Sequence, residues 1–127
     1  MAYVWAAVGG VLGALGRWGV ATALAPSPGG WPWATLLVNL TGCLLIGALA
    51  AVLATSRAEP WARPLLAVGL LGGWTTYSAF AVETVLLARD GAVGLAAAYV
   101  VGSVAGGLLA VVTGVRAGRA LAVRAAG

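Results

Sequence analysis

Apolar residues fill this chain in four long blocks, and the polar residues gather in the short gaps between them. The first block runs from about Tyr3 to Ala25 and stops at the turn-forming PSPGGWP. The second covers Trp33 to Thr55 and ends at SRAEP, and the third covers Trp61 to Ala88 and is closed by RDG. The fourth runs from about Ala92 to Val115, ahead of the basic tail RAGRALAVR. Crossing the hydrocarbon core of a bilayer takes roughly 20 apolar residues in a helix, and each block is long enough. The pattern predicts an all-α membrane protein, a single domain of four transmembrane helices over residues 1–127. Because the gaps are short, successive helices are expected to lie side by side and antiparallel. Trp5, Trp31, Trp33 and Trp61 fall near block ends, where interfacial aromatics sit, whereas Trp18 and Trp74 do not. No basic leader precedes the first block, so it reads as a retained helix rather than a signal peptide.

The third block is not uniformly apolar. Residues 72–80, GGWTTYSAF, place paired glycines, two threonines and a serine between PLLAVGLLG and AVETVLLA. Unsatisfied backbone groups in hydrocarbon cost several kcal/mol each, so irregular backbone at that depth survives only inside protein or beside a watery cavity. Helix three is therefore expected to break near its middle, and the break is the first candidate for a functional site.

Composition narrows the chemistry. Of 127 residues 62% are hydrophobic and 8% charged, which excludes an ordinary soluble domain. There is no His and one Cys, at position 43, so His-based acid–base catalysis, Cys/His metal cages and intrachain disulfides are excluded. Cys43 reads as a small buried residue of helix two. With neither a catalytic nucleophile motif nor a phosphate-binding loop, the chain does not read as an enzyme. The net charge of +4 is accounted for by membrane topology and contact with lipid, and no nucleic-acid partner is inferred.

Gly9 and Gly13, Gly69 and Gly73, and Gly102 and Gly106 stand four apart, a spacing that lets helix backbones approach closely. Packing is the reading given to each pair. Polar residues at membrane depth are Arg17, Asn39, Thr41, Thr75, Thr76, Ser78, Glu83, Tyr99, Ser103 and Thr113. Ionisable groups there face the bundle interior, a cavity or one another. Two readings stand for Arg17 and Glu83: a mutually neutralising structural pair, or groups that attract ions. On helix four Tyr99, Ser103 and Gly107 share a face, so the two hydroxyls form either a track for a hydrogen-bond acceptor or local bonds to backbone.

These residues resemble a known family. GGVLGALGRW in helix one, WPWATLLVNLTGCLLIG in helix two and GLLGGWTTYSAFAVET in helix three are similar to the three signatures of the CrcB/Fluc fluoride channels. The family's versions read approximately GGxxGAxxRY, GTLxVNxxGxFxxG and GxxGGxTTFSTF. The resemblance implies a dimer of oppositely oriented subunits in the cell membrane, with two fluoride pores, conferring fluoride resistance by passive export. It also implies a structural sodium ion at the dimer centre, held by backbone carbonyls that map to Gly72 and Thr75. Asn39 corresponds to the asparagine whose amide donates toward the pore. Tyr77 and Phe80 correspond to the aromatics whose ring edges face fluoride, and Ser78, Tyr99 and Ser103 to hydroxyls of the polar track. Arg17 and Glu83 correspond to charged positions of helices one and three. Three positions depart from the pattern: Tyr77 replaces Phe, Ala79 replaces Thr, and Gly107 stands where Ser or Thr is expected.

The physics of fluoride agrees with such a set. A carboxylate-sized ion already faces an idealised cost of order 20 kcal/mol on entering a dry medium, and fluoride is smaller and strongly hydrated. Hydroxyls, an amide and aromatic ring edges return hydration without a fixed positive charge that would trap the ion.

If the helices alternate, Arg57, Arg63, Arg116, Arg119 and Arg124 share one side of the membrane and Arg89 lies on the other. By the positive-inside rule both termini are expected in the cytoplasm. The resembled family includes dual-topology homodimers and pairs of oppositely biased homologues, and the bias here points to a member of a pair. Two other classes compete. A small proton-coupled exporter would need a carboxylate in helix one, which has none, and a noncatalytic assembly subunit would explain the glycines but not the three ordered motifs.

Overall fold

The computed structural model describes residues 1–25, 30–55 and 59–126. Helix α1 is Ala2–Ala23 and α2 is Trp33–Thr55. A π-helical stretch, Arg63–Leu70, then runs into one α-helical turn, α3, Leu71–Trp74. Helix α4 is Tyr77–Arg89 and α5 is Val93–Ala126. Four spans among the described residues, Ala2–Ala23, Trp33–Thr55, Arg63–Arg89 and Val93–Arg124, are long and apolar enough to cross a membrane.

Local chemistry explains the ends. Pro64 sits in the first turn of the π-helical stretch, where its missing N–H has no partner to lose. Gly91, at φ 81°, closes α4. The amides of Gly91 and Ala92 return to the carbonyls of Ala88 and Leu87 at 3.2 and 2.9 Å, the pattern by which a left-handed glycine satisfies a helix end.

Helix α5 does not stop at Val115 but continues to Ala126. Residues 116–126 are mostly Ala, Arg and Leu, strong helix formers with no proline among them. Bilayer thickness limits the apolar part of a helix, not the helix itself. At ~1.5 Å per residue the 34 residues of α5 measure about 51 Å, well beyond a hydrocarbon core of ~30 Å.

The expectation that successive helices pack together is also corrected. The intimate pairs are α1 with the π-helical stretch and α3, and α2 with α5. Both pairs run parallel. A Cβ built on Gly9 would strike the Leu65 carbonyl, and one on Gly13 the Leu70 carbonyl; from the other side, Gly69 and Gly73 abut the carbonyls of Ala6 and Gly10. In the second pair Gly47 lies on the Val111 carbonyl, Gly114 on that of Leu44 and Gly118 on that of Ala48. Small residues win these seams because lipid supplies no hydrophobic drive between helices, which leaves close van der Waals packing to hold them. Gly102 and Gly106 make no such seam, since they face side chains of Trp31 and Leu40 instead.

The bundle ends carry tryptophans as anticipated. Trp5 and Trp61 pack at a tilt with ring centres 6.0 Å apart at one end, and Trp31 and Trp33 do so at 5.8 Å at the other. Large apolar side chains such as Leu12, Val68 and Leu109 point outward, as lipid-facing residues do. Arg57 lies outside the described residues.

Candidate functional site

Two extended residues, Thr75 (φ −77°, ψ 155°) and Thr76 (φ −146°, ψ 123°), separate α3 from α4. Side chains determine where the local amides go. The Thr76 amide, which would bond to the Gly72 carbonyl in a continuing helix, donates instead to Asn39 Oδ1 at 2.9 Å. The Ala79 amide, which would serve the Thr75 carbonyl, donates to Thr76 Oγ1 at 3.2 Å. The Gly73 carbonyl receives Arg17 Nε at 3.1 Å. The carbonyls of Gly72 and Thr75 are thus among those that lose their usual helical donors at the break. Asn39 completes its grip by donating Nδ2 to the Thr76 carbonyl at 2.9 Å, so both ends of one amide clamp one residue of backbone.

Beside this interruption lies a groove of about 490 Å³. Its walls include Asn39 and Cys43 from α2, Gly72 and Thr75, Tyr77 and Phe80 from α4, and Ser103 from α5. The Tyr77 and Phe80 rings lie 5.9 Å apart at a tilt, and Phe80 meets Tyr99 at 5.3 Å. The Tyr77 side is the open one, at 81% exposure. Ser78 Oγ and Thr76 Oγ1 share a hydrogen bond of 3.2 Å. Ser103 Oγ is buried with no partner among the described residues.

Arg17 and Glu83 do not form a direct ion pair. They line a common cavity of about 130 Å³, but each is engaged elsewhere, Arg17 on the Gly73 carbonyl and Glu83 on two hydroxyls. Thr35 Oγ1 and Tyr99 Oη each donate to a different Glu83 oxygen at 2.7 Å. Charge-assisted bonds of that length are strong, and they tie α2, α4 and α5 together. Tyr99, fully buried, therefore spends its hydroxyl proton on the carboxylate.

One residue here escaped the sequence reading, and two that it named take on roles it did not assign. Thr35 stands four before Asn39 on α2, a spacing that places both on one face and could have flagged it. Thr41 accepts from Trp74 Nε1 at 3.0 Å, which explains a tryptophan away from the interface. Trp31 packs edge-on to Tyr99 at 5.8 Å, so it extends the aromatic row as well as marking a bundle end. No group of three or more His, Cys, Asp or Glu side chains suited to a metal occurs among the described residues.

Comparison with known proteins gives a consistent picture. A family model described as "CrcB-like protein, Camphor Resistance (CrcB)" matches residues 4–115. The chain is 44% identical to the "Fluoride-specific ion channel FluC" of Paracoccus denitrificans over 119 residues, 94% of this chain and 95% of the relative. It is 43% identical to the protein of the same name from Novosphingobium aromaticivorans, covering 95% of this chain and 98% of that one. A relative so named from Thermus thermophilus is 43% identical over 94% of both chains.

Proposed function

Because the chain belongs to the CrcB-like family, we infer that it is a subunit of a fluoride-selective channel, a multi-pass membrane protein that lets fluoride leave the cell passively. The observation that carries this reading is the 44% identity to a fluoride-specific channel across nearly the whole of both chains. The proton-coupled exporter is not favoured, since α1 carries no carboxylate and the relatives are channels by name.

In this reading fluoride passes along the groove beside Thr75 and Thr76. The ring edges of Tyr77 and Phe80 offer the positive rim of the aromatic quadrupole. The unpartnered Ser103 hydroxyl is a donor available to an anion. Asn39 acts through the backbone, since its clamp on Thr76 sets where α4, and with it Tyr77, Ser78 and Phe80, begins. Tyr99 anchors Phe80 from behind while its hydroxyl is held by Glu83, and Arg17 fixes the Gly73 carbonyl.

The interruption fits a second ion. Gly72 and Thr75 carbonyls, relieved of their helical donors by Asn39 and Thr76, are oxygen ligands suited to a hard monovalent cation such as sodium. Two from each of two subunits would make a four-oxygen site, and the cation would supply a fixed charge that ties the subunits together. Gly72 has open space around its Cα, and the Tyr77 ring is uncovered, features that a second, oppositely oriented copy or homologue would occupy.

The arginine distribution supports cytoplasmic termini and one insertion direction, and hence an oppositely biased homologue as the partner. Expressed alone, the chain should insert with its C-terminal reporter inside and rescue fluoride-sensitive cells poorly. Equal reporter signal on both sides with full rescue would establish a self-sufficient homodimer. The channel itself is tested by flux from liposomes containing the chain, with or without its partner: fluoride efflux far above chloride efflux is expected, and equal leakage of both ions would end the reading.

A further inference from the structure

Resting on the channel reading, we propose that the Cys43 thiol supplies the donor that follows Ser103 along the groove, at the step where α5 offers only Gly107. Tyr99, Ser103 and Gly107 follow one another at four-residue steps along one face of α5. At the third step α5 contributes nothing, because residue 107 is glycine. That vacancy is filled from the neighbouring helix: a Cβ placed on Gly107 would meet one side-chain atom, Cys43 Sγ, at 3.5 Å.

Cys43 is well placed for this work. It stands four residues after Asn39, which itself stands four after Thr35, so one face of α2 presents Thr35 to Glu83, Asn39 to Thr76 and Cys43 to the groove. Ser103, whose hydroxyl oxygen is fully buried and has no partner among the described residues, lines the same groove. A buried donor left unpaired is costly unless something visits it, and a desolvated anion is an acceptor that would. The thiol one turn further on extends that unpaired donor by one step. A thiol S–H is a weak donor on a polarizable atom, so it offers a small hard anion a bond without a fixed charge that would hold the ion in place. Glycine at 107 and cysteine at 43 are then complementary, with α2 supplying a polar group at the step where α5 has none.

Fluoride efflux from liposomes, measured for the unaltered channel and for variants with dimer assembly checked in detergent, tests this. Cys43→Ala should conduct on the order of tenfold more slowly, the rate equivalent of one modest hydrogen bond to an ion. Cys43→Ser, which keeps a donor, should conduct well above Cys43→Ala. The 3.5 Å spacing leaves room for a small side chain at position 107, so adding Gly107→Ser to Cys43→Ala should restore flux. A methanethiosulfonate reagent should block the unaltered channel and leave Cys43→Ser conducting. Equal rates for the Ala and Ser variants, or failure of Gly107→Ser to restore flux, would assign the thiol to packing and overturn the proposal while the channel reading stands. Absence of fluoride efflux from the unaltered channel would bring down both.

Discussion

The glycine seams and the groove solve opposite problems with the same kind of residue. Along the seam between α1 and the third span, Gly9, Gly13, Gly69 and Gly73 bring backbone against backbone, leaving no space for a Cβ at any of the four. At the groove Gly72, next in sequence to Gly73, has nothing within 4 Å of where its Cβ would be. One glycine is required by what is already there; its neighbour faces open space. In the seams, the Gly73 carbonyl held by Arg17 apart, the glycines serve shape, bringing backbone against backbone. Around Thr75 and Thr76 side chains take over the bonding of the backbone. The difference teaches that the rigid seams are the frame, and that Asn39, Arg17 and Thr76 can hold an irregular backbone because the helices carrying them cannot shift.

The largest effect is expected from breaking the frame. Gly13→Val would drive a branched side chain into the Leu70 carbonyl and the Trp74 amide, both backbone, which cannot yield. Overpacking of this kind costs about 1–3 kcal/mol even where side chains adjust, and more here. Size-exclusion chromatography in detergent should show loss of folded protein, whereas Gly10→Ala, with open space around it, should elute normally. Identical elution of the two variants would contradict the seam.

Next in size is Asn39→Asp, which attacks the groove and leaves the frame alone. The amide donor to the Thr76 carbonyl is replaced by a carboxyl, which in its ionised form can only accept. Fluoride flux should fall on the order of a hundredfold, equivalent to roughly 3 kcal/mol for a lost bond together with a repulsive replacement. Near-normal flux from normally assembled protein would remove Asn39 from the machinery.

Gly72→Val sharpens the contrast with Gly13. Nothing in a single subunit opposes the new side chain, so the subunit should fold, and only association should suffer if a partner crowds that face. Crosslinking in membranes should show fewer dimers with unchanged monomer yield. Retained dimers would place the interface elsewhere.

Thr75→Ser should be the mildest. It keeps the hydroxyl bond to the Leu71 carbonyl, at 2.9 Å, and the backbone carbonyl, and loses one methyl packed on Gly42, worth about 0.8 kcal/mol. A slight fall in thermal stability with preserved flux is the expected result. Loss of flux would mean that the side chain, not the backbone, carries the role of residue 75.

Periodicity and composition made the four spans legible, because a bilayer imposes its own rule on any chain that crosses it: about 20 residues with no charge to spare. Motif order made the family legible and through it pointed to Tyr77 and Phe80, while the polar residues at depth were few enough to name Asn39 and Ser103; the fold gathers all four at one groove. Missing from that list was Thr35, since a threonine near a helix start carries no local sign of the carboxylate it will meet 48 residues away. The length of α5 was misjudged because hydropathy reports where lipid ends, and helix propensity continues past it.

What the sequence alone determined, then, is whatever depends on neighbours along the chain: span number, capping at Gly91, and the cost of polar residues in lipid. Tertiary structure decided the rest. It chose Gly47, Gly114 and Gly118 rather than Gly102 and Gly106 for the second seam, gave Glu83 to Thr35 and Tyr99 instead of Arg17, and set Cys43 against Gly107. Spacing by four says which residues share a face of one helix. Which face of another helix they meet depends on the rotation and register of two helices, and that is fixed by the sum of all their contacts rather than by any stretch of either one.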